Sequence, residues 1–285
     1  MRIIILGVNG YLGRNLSKYL SRKNNSIVGL VRHPFSSEYC QVVDINHPEW
    51  KQSILNFNPE LIINTVTCYG RNGESINEIL EANVTFPIKI IDSILEENKN
   101  FRIINCGSSL PKNINLYSLT KHHLDEIFIH YSHLHNIDYI NLNLEGFYGV
   151  QCHNSFVNNI FQLCVRGDEI KLTPGEQYRD YIHIEDVLTA IETVIKNIYP
   201  LSGYNKVDIG TGSSIQIKEL VDKICNLTGY NKKPLYGVLK YRDNELMKSC
   251  ADISVLSSLG WKASHNIDSG LSDLYLNEFS DCFEG

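Results

Sequence analysis

The chain has 285 residues, of which 43% are hydrophobic and 20% charged, and its formal net charge is −6. That length and apolar content suffice for one large or two closely packed domains, while the acidic balance provides no basic field for nucleic acid or for an anionic membrane. No apolar run approaches the roughly 20 residues of a membrane helix, no signal peptide is recognisable, and eight cysteines occur without a CxxC pair, so we expect a cytoplasmic protein with reduced thiols.

Short apolar runs alternate with amphipathic stretches through the first half of the chain. The runs are rich in β-branched residues and predict strands at Ile3–Leu6, Ser26–Val31, Leu61–Thr65, Phe101–Asn105 and Tyr139–Leu142. Between them, apolar residues recur every three or four positions and predict helices at Leu12–Leu20, Ile76–Leu95 and Leu116–Leu134. Strands that alternate with such helices are typical of βαβ crossovers, so we predict an α/β fold with a doubly wound parallel sheet.

The second half of the chain is less regular. Turn residues interrupt it at Pro174-Gly175 and at 210–212, and further helices are predicted at about Glu185–Lys196 and Ile217–Leu227. We therefore predict two domains. Residues 1–145 form the first, residues 146–285 form mainly a smaller α+β lobe that holds a substrate, and a segment at about 183–212 returns to the first domain.

The first predicted strand ends in GVNGYLG, in which Gly7, Gly10 and Gly13 follow one another at spacings of three. A helix N-terminus carries backbone N–H groups and a partial positive charge, so it suits a pyrophosphate once glycine lets the turn approach the ligand. The motif therefore predicts a Rossmann-type, dinucleotide-binding first domain. The alternative is a glycine-rich turn that packs closely against the helix without a ligand.

YSLTK, at 117–121, places Tyr117 and Lys121 one helical turn apart on the same face. A nearby ammonium favours a phenolate, so we expect Lys121 to lower the pKa of Tyr117, which can then exchange a proton with a substrate oxygen. Upstream, a predicted strand ends in CGSS at 106–109. This puts a serine hydroxyl at the carboxyl edge of the sheet, where doubly wound proteins bind their ligands.

Together and in this order, these motifs resemble the extended short-chain dehydrogenase/reductase family of nucleotide-sugar epimerases, dehydratases and reductases. Further matching strings are FYG at 147–149, RDYIHIEDV at 179–187, DIGTG at 208–212 and LGW at 259–261. The resemblance implies that Tyr117 is the catalytic acid/base and that Lys121 tunes its pKa and anchors a ribose. It also implies that Ser108, or else its neighbour Ser109, hydrogen-bonds the substrate oxygen.

The resemblance implies a nicotinamide dinucleotide cofactor. Its expected contacts are Gly7, Asn9, Gly10, Tyr11, Leu12, Gly13, Arg32 and Asp44, together with Tyr117 and Lys121, and Arg14 is a further candidate for phosphate. An acidic residue after the second strand would bind the ribose 2′-hydroxyl of NAD, whereas Arg32 can bind the 2′-phosphate of NADP. We therefore expect NADP(H) rather than NAD. We expect no bound metal, and we expect His183 to be a packing and hydrogen-bonding residue.

Two arginines are consistent with a nucleotide-sugar substrate. The family places the arginine of its RDY motif, here Arg179, and a second arginine, here Arg242, around the diphosphate, which guanidinium groups bind in bidentate geometry. From the residues alone, Arg179 is equally well explained by a surface ion pair with Asp180 or Glu185. The same alternative applies to Arg242, which is surrounded by acidic residues.

The strings SLPKNINLYSLTK, LTPGEQYRDYIHIEDV and RDNELMKSCAD are similar to bacterial reductases of nucleotide-linked 4-keto-6-deoxysugars, the group that forms CDP-abequose, CDP-paratose and dTDP-fucose for surface polysaccharides such as the O-antigen of lipopolysaccharide. This resemblance implies NADPH-dependent reduction of the C4 keto group of a CDP-, dTDP- or GDP-linked sugar. Dehydratases of the family typically carry an acidic pair where this chain has Leu110-Pro111, so elimination is not expected.

Two other functions remain open at this point. One is an NAD-dependent 4-epimerase, and the other is a dinucleotide-binding sensor of the same fold without catalysis, against which the retention of both Tyr117 and Lys121 argues. Asn143 and Gly146 depart from the family pattern before the YG pair, so the sugar contacts of relatives do not transfer. The resemblance also implies a homodimer through the helices that contain Glu81–Glu96 and Tyr117–Leu134.

Overall fold

The computed structural model describes residues 1–33, 35–97, 101–198 and 201–280. The chain divides into two compact units. The first unit comprises Met1–Asn143 with Val194–Val207, and the second comprises Leu144–Thr193 with Asp208–Gly285. The first boundary lies within two residues of position 145, but the segment that returns to the first unit is Val194–Val207, which is shorter than the predicted 183–212.

Two buried carboxylates explain why the returning segment is shorter. Asp180 accepts hydrogen bonds from the backbone N–H groups of Thr211 and Gly212, at 2.9 to 3.0 Å. Asp186 accepts hydrogen bonds from the backbone N–H groups of Ser264 and His265. The residues that flank the returning segment are therefore bound within the second unit.

Ten strands and ten α-helices are present in the described residues. The strands are β1 (Arg2–Leu6), β2 (Ser26–Val31), β3 (Gln41–Asp44), β4 (Leu61–Asn64), β5 (Arg102–Cys106), β6 (Tyr139–Leu144), β7 (Gly146–Tyr148), β8 (Tyr178–His183), β9 (Tyr204–Ile209) and β10 (Ser214–Gln216). The α-helices are α1 (Tyr11–Ser21), α2 (Trp50–Phe57), α3 (Ile76–Leu80), α4 (Phe86–Leu95), α5 (Leu116–His135), α6 (Phe156–Arg166), α7 (Ile184–Lys196), α8 (Ile217–Thr228), α9 (Ser254–Ser258) and α10 (Ile267–Leu274). Two π-helical segments, Glu81–Thr85 and Tyr275–Phe279, continue α3 and α10.

A seven-stranded sheet has the order β3-β2-β1-β4-β5-β6-β9, and β1 pairs in parallel with both β2 and β4. The strands RIIIL and LIIN are buried along almost their whole length, as expected where helices cover both faces of a parallel sheet. The doubly wound α/β fold is therefore confirmed. Strand order reverses between β1 and β4, and a switch point of this kind is where such sheets bind ligands.

The predicted helix Ile76–Leu95 is present over its full length, but a π-helical turn at Glu81–Thr85 divides it into α3 and α4. Ser75 and Glu78 form a capping box at the start of α3. Pro87 lies just after the π-helical turn, inside the continuous helical backbone, where its ring and its missing N–H disfavour regular α-helical hydrogen bonding. The sequence did not predict β3 or α2. Each is short and buries a single side chain, Val43 or Ile54 respectively, so neither shows a clear period.

The second unit contains a three-stranded sheet in which β8 pairs with β7 in parallel and with β10 in antiparallel orientation. Side chains from α6, α8 and α10, among them Phe161, Leu220 and Leu274, form its core. Seven cysteines in the described residues are free thiols, and Cys282 lies outside those residues. In the part of the chain that the structure describes, no helix has the length and apolar character needed to cross a bilayer.

Candidate active site

The glycine motif forms a tight turn between β1 and α1. Gly7 adopts a φ of +77°, which favours glycine, and the N–H of Gly10 donates to the Gly7 carbonyl at 2.9 Å. A Cβ atom on Gly13 would lie 2.3 Å from that same carbonyl oxygen and 2.8 Å from the Cα of Val8. The first turn of α1 therefore approaches the strand as closely as only glycine permits.

The N-terminus of α1 has the features of an anion site. Gly10 is its N-cap, no side chain caps it, and its first turn holds no acidic residue, so the partial positive charge is not neutralised locally. Asn9 is exposed in the turn, Tyr11 is half-buried and the side chain of Leu12 is buried, so Leu12 can reach a ligand only through its backbone. These residues fit the pyrophosphate of a dinucleotide.

Arg32 and Asp44 lie at the carboxyl ends of neighbouring strands, since the register pairs Val31 with Asp44. Asn46, which the sequence analysis missed, connects them. Its side-chain amide donates to the Arg32 carbonyl at 2.7 Å and to the Asp44 carboxylate at 3.0 Å. The Arg32 guanidinium carbon lies 5.6 Å from the ring centroid of Phe86. A cation therefore occupies the position where an NAD-specific site would carry an acid.

A chain of buried asparagine amides connects the carboxyl ends of β4, β5 and β6. Asn64 donates to Asn105 at 2.8 Å, Asn105 donates to Asn141 at 2.8 Å, and Asn141 donates to Asn143 at 3.1 Å. The asparagine ladder, as we call these four residues, is at most 6% exposed. Because unpaired buried amides are costly, it fixes the three strand ends relative to one another.

Ser108 follows β5 and contacts Tyr117 in the first turn of α5. The Ser108 hydroxyl lies close enough to the Tyr117 phenol to lower its pKa, and its oxygen accepts the N–H of Leu110 at 3.2 Å. Asn115 caps α5 by accepting the N–H of Ser118 at 2.8 Å, which orients the turn that carries Tyr117. The structure thus brings Ser108 and Tyr117 together, and the contact involves Ser108 rather than Ser109.

The electrostatics of Tyr117 differ from our expectation. Burial raises the pKa of Tyr117 well above its ordinary value, and the phenol of Tyr69 raises it further, while the Ser108 hydroxyl and the Arg71 guanidinium lower it. Lys121 is not among the principal groups that lower this pKa, because its ammonium turns toward a backbone carbonyl. In this structure Tyr117 is therefore held as a neutral phenol, a form that can donate a proton.

Lys121 is buried, with 1% of its surface exposed. Its ammonium donates to the carbonyl of Val66 at 3.1 Å, and Val66 follows β4 and packs against Gly7. Burial lowers the pKa of Lys121 to about 8, while nearby Cys106 raises it. Lys121 thus places a cation beside the glycine turn, where it fits the role of a ribose anchor.

Two residues of the loop after β4 belong to the site, and the sequence analysis missed them. The ring of Tyr69 lies 4.8 Å from that of Tyr117, and the guanidinium carbon of Arg71 lies 5.0 Å from the Tyr69 ring centroid. Asn83 of the π-helical turn exchanges hydrogen bonds with the backbone of Cys68 at 2.7 and 2.9 Å, which holds this loop in place. The motif that contains them, CYGRN, has no general signature.

In the second unit, Arg179 on β8 pairs with Glu245 at 2.7 Å and donates to the carbonyl of Tyr178. The Glu245 N–H in turn donates to the carbonyl of Arg242 at 3.0 Å, so the two arginine segments are adjacent. Arg242 is exposed. The ion-pair partner of Arg179 is thus Glu245, not Asp180 or Glu185, and Asp180 instead caps the turn at 211–212.

A buried carboxylate of the second unit also escaped the sequence analysis. Glu145 is 6% exposed and accepts the hydroxyl of Ser249 at 2.6 and 2.7 Å. Nearby in the chain, Gly146 approaches the ring of Tyr181 so closely that a Cβ atom would lie 3.0 Å from it. The departure from the family pattern at Gly146 therefore has a local packing reason.

Comparison with known proteins agrees with this arrangement. Residues 3–210 match the model of the NAD dependent epimerase/dehydratase family, and the chain belongs to this enzyme family, as the sequence predicted. It is 28% identical to the CDP-abequose synthase of Salmonella typhimurium in an alignment of 289 positions, which covers 95% of this chain and 96% of that protein. The corresponding synthase of Yersinia pseudotuberculosis is 26% identical, with coverage of 87% and 91%.

Solved structures show the same fold. The UDP-glucose 4-epimerase of Thermotoga maritima, solved with UDP-glucose, superposes with a TM-score of 0.82 over 96% of this chain and 97% of that one, at 17% identity. The shared fold extends over nearly the whole length of both chains. At this identity, the likeness is evidence for the fold alone.

Removal of the buried charge of Lys121 tests the electrostatics of the site. The pKa of Lys121 is about 8 in the folded protein and 10.5 ordinarily, so between these pH values the unfolded chain binds a proton that the folded chain lacks, and stability rises with pH. Below pH 8 the charge costs up to about 3 kcal/mol. We expect Lys121→Met to be more stable than the wild type by up to this amount near neutral pH, with the advantage shrinking toward pH 10.5. Urea unfolding of both proteins, from neutral pH to pH 10.5, measures this difference in the free energy of unfolding.

Lys18→Met, on the exposed face of α1, provides the control and should show no such pH-dependent difference. If Lys121→Met were less stable at every pH, its hydrogen bond to Val66 would outweigh the cost of burial, and the electrostatic account would be wrong.

Proposed function

We propose that this protein is an NADPH-dependent reductase that converts the C4 keto group of a CDP-linked 4-keto-6-deoxysugar to an alcohol. The observation that carries the proposal is the placement of Ser108, directly after β5, beside Tyr117 in the first turn of α5. The similarity to CDP-abequose synthases over nearly the whole chain supports a CDP-sugar substrate and a place in the biosynthesis of surface polysaccharides.

The reduction adds one hydride and one proton across the C4–oxygen double bond. The reduced nicotinamide supplies the hydride when bound. Tyr117 donates its phenolic proton to the carbonyl oxygen, and Ser108 donates a hydrogen bond to the same oxygen as negative charge develops there. Lys121 binds the ribose of the cofactor. Both carbonyl carbon and oxygen then gain one hydrogen, and the Tyr117 phenolate is reprotonated from solvent.

The cofactor preference rests on Arg32. Its guanidinium stands at the end of β2, where a fork of N–H donors can bind a 2′-phosphate in bidentate geometry. His33 follows it, so no acid is available within that dipeptide for a ribose 2′-hydroxyl. These residues favour NADP(H) over NAD.

The substrate diphosphate is assigned to Arg179 and Arg242. Glu245 joins their segments by pairing with Arg179 and by bonding to the Arg242 backbone. The side chains of the Arg179–Glu245 ion pair are each less than one-fifth exposed. A phosphate would therefore replace Glu245 as the anionic partner of Arg179 instead of binding a solvated guanidinium. Until the substrate binds, the ion pair with Glu245 keeps the Arg179 side chain in position.

Tyr117→Phe tests the reaction. We expect the wild type to consume NADPH stoichiometrically with a CDP-linked 4-keto-6-deoxysugar, measured by absorbance at the reduced-nicotinamide band, with dTDP- and GDP-linked analogues compared. The variant removes the proton donor and keeps the ring, so kcat should fall by about 10²- to 10⁴-fold while cofactor binding persists. Tyr178→Phe, which removes an exposed phenol, should leave turnover unchanged.

Two results would count against this assignment. If Tyr117→Phe retained most of its turnover, the proton donor would be another group. If no keto sugar consumed NADPH and the purified protein carried oxidised dinucleotide, the protein would instead be a 4-epimerase of the same family.

Arg32→Asp tests the cofactor preference. Loss of a charge-assisted contact of roughly 1.5–3 kcal/mol should raise the KM for NADPH by about 10- to 100-fold relative to that for NADH. Steady-state kinetics with both cofactors measures the ratio. Arg22→Asp makes the same charge change on an exposed residue and should not alter it, and an unchanged ratio in Arg32→Asp would remove Arg32 from the cofactor site.

We further propose that the protein is a homodimer. An apolar groove between α3 with its π-helical turn and α5 is lined by Leu80, Val84, Ile127 and Tyr131, on the two helices that the family resemblance assigns to a dimer. Sedimentation velocity should give two chains per particle. Leu80→Glu should shift it to one, whereas Leu276→Glu, an exposed leucine elsewhere, should not. A monomeric wild type at micromolar concentration would contradict the proposal.

A further inference from the structure

Three potential metal ligands converge at the end of β8 in the second unit. His183 is the last residue of that strand, Glu185 lies in the first turn of α7, and His265 precedes α10. One ligand atom from each lies within 4.8 Å of the others. We call these three residues the histidine cluster.

His183 is buried without the hydrogen bonds that an imidazole requires. It is 2% exposed, and neither ring nitrogen has a hydrogen-bond partner among the described residues. The Asp273 carboxylate approaches Nε2 to 3.5 Å without forming a hydrogen bond. The sequence prediction of a packing and hydrogen-bonding role therefore holds only for packing, against Tyr148 and His265. A buried polar group left unpaired requires an explanation, and a missing ion is one.

The Asp186 carboxylate holds the His265 ring in an orientation that suits a metal ligand. Its Nδ1 lies 3.0 Å from the Asp186 carboxylate, which is 1% exposed and also accepts the N–H groups of Ser264 and His265. A carboxylate at Nδ1 holds the proton on that nitrogen and leaves the lone pair of Nε2 available. This carboxylate–histidine arrangement recurs behind metal-binding histidines.

We propose that the histidine cluster binds a zinc ion. Two imidazole nitrogens and one carboxylate oxygen are a ligand set that zinc accepts, with Asp273 or water as the fourth ligand. Zinc–nitrogen bonds of about 2.0–2.1 Å require the ligand atoms to draw closer, and the exposed side chain of Glu185 can move to do so.

Charge and burial are consistent with this assignment. His183 is 2% exposed, and its ring packs against that of His265 with 4.3 Å between the ring centroids. The carboxylates of Glu185 and Asp273 face the histidines and would balance the charge of a divalent cation. The ion would satisfy His183 and tie the end of β8 and the start of α7 to the segment before α10, which is a stabilising role.

The test uses the full chain without a polyhistidine tag, stripped with a chelator and dialysed. Zinc is titrated in competition with a chromophoric chelator, and we expect one tight site per chain. His265→Ala and Glu185→Gln should each weaken zinc binding at least tenfold and remove the rise in melting temperature that zinc gives the wild type. His133→Ala and Glu81→Gln, at exposed positions in the first unit, should behave as the wild type does.

Cobalt substitution provides a spectroscopic readout, because tetrahedral cobalt has a visible absorption band that His265→Ala should abolish. Glu185→Gln changes an exposed side chain, so it keeps the test valid even if His265→Ala folds poorly, and circular dichroism of both variants without metal checks folding. Absence of a stoichiometric zinc site would overturn the proposal. So would undiminished binding in both variants. Binding that Cys225→Ser abolishes would also overturn it, since Cys225 lies beside a second thiol, Cys164. No readout depends on the proposed reductase activity.

Discussion

The asparagine ladder is the constraint on which the first unit's candidate site depends. Asn64, besides donating to Asn105, accepts the N–H of Val66, which fixes the carbonyl that receives the Lys121 ammonium and the backbone against which Gly7 packs. Further along the ladder, Asn141 lies so close to Gly107 that a Cβ atom on Gly107 would be 2.7 Å from the Asn141 amide oxygen. Gly107 leads directly to Ser108. Breaking one amide would leave its neighbours buried and unpaired, so the glycine turn, the lysine and the serine would all lose their common support.

A second network positions the loop that carries Tyr69 and Arg71. Asn83 bonds to the Cys68 backbone and donates to the hydroxyl of Thr120, which itself donates to the Tyr117 carbonyl. The π-helical turn makes this contact by displacing one helical position, a distortion that is frequent at functional sites. This turn within the predicted helix therefore connects the first turn of α5 to the loop beside the Tyr117 ring. The positions of Tyr69 and Arg71 therefore depend on this network and not on a recognisable sequence motif.

The sequence sufficed for the fold and for the residues with a local signature. Buried runs such as RIIIL, the glycine turn and YSLTK can be recognised from residue types and spacings within a few positions, and the structure has each of them in the expected element. The pKa of Tyr117 was not predictable, because it depends on how deeply the phenol is buried and on Arg71, 46 positions earlier in the chain. Likewise the Arg179–Glu245 pair joins residues 66 positions apart, and neighbours in sequence, Asp180 and Glu185, were the natural but wrong partners to expect.

The opposite pKa shifts of Tyr117 and Lys121 have one cause and bear on the direction of the chemistry. Burial favours the neutral form of each, so the phenol keeps its proton while the ammonium becomes easier to deprotonate. A reductase begins its cycle with an uncharged, reduced nicotinamide and needs a protonated donor, which is the state that burial provides. An epimerase begins with an oxidised, positively charged nicotinamide and needs a base, so it would rely on that charge to lower the tyrosine pKa. In the protein alone, burial therefore keeps Tyr117 protonated, which is the starting state that the proposed reduction needs.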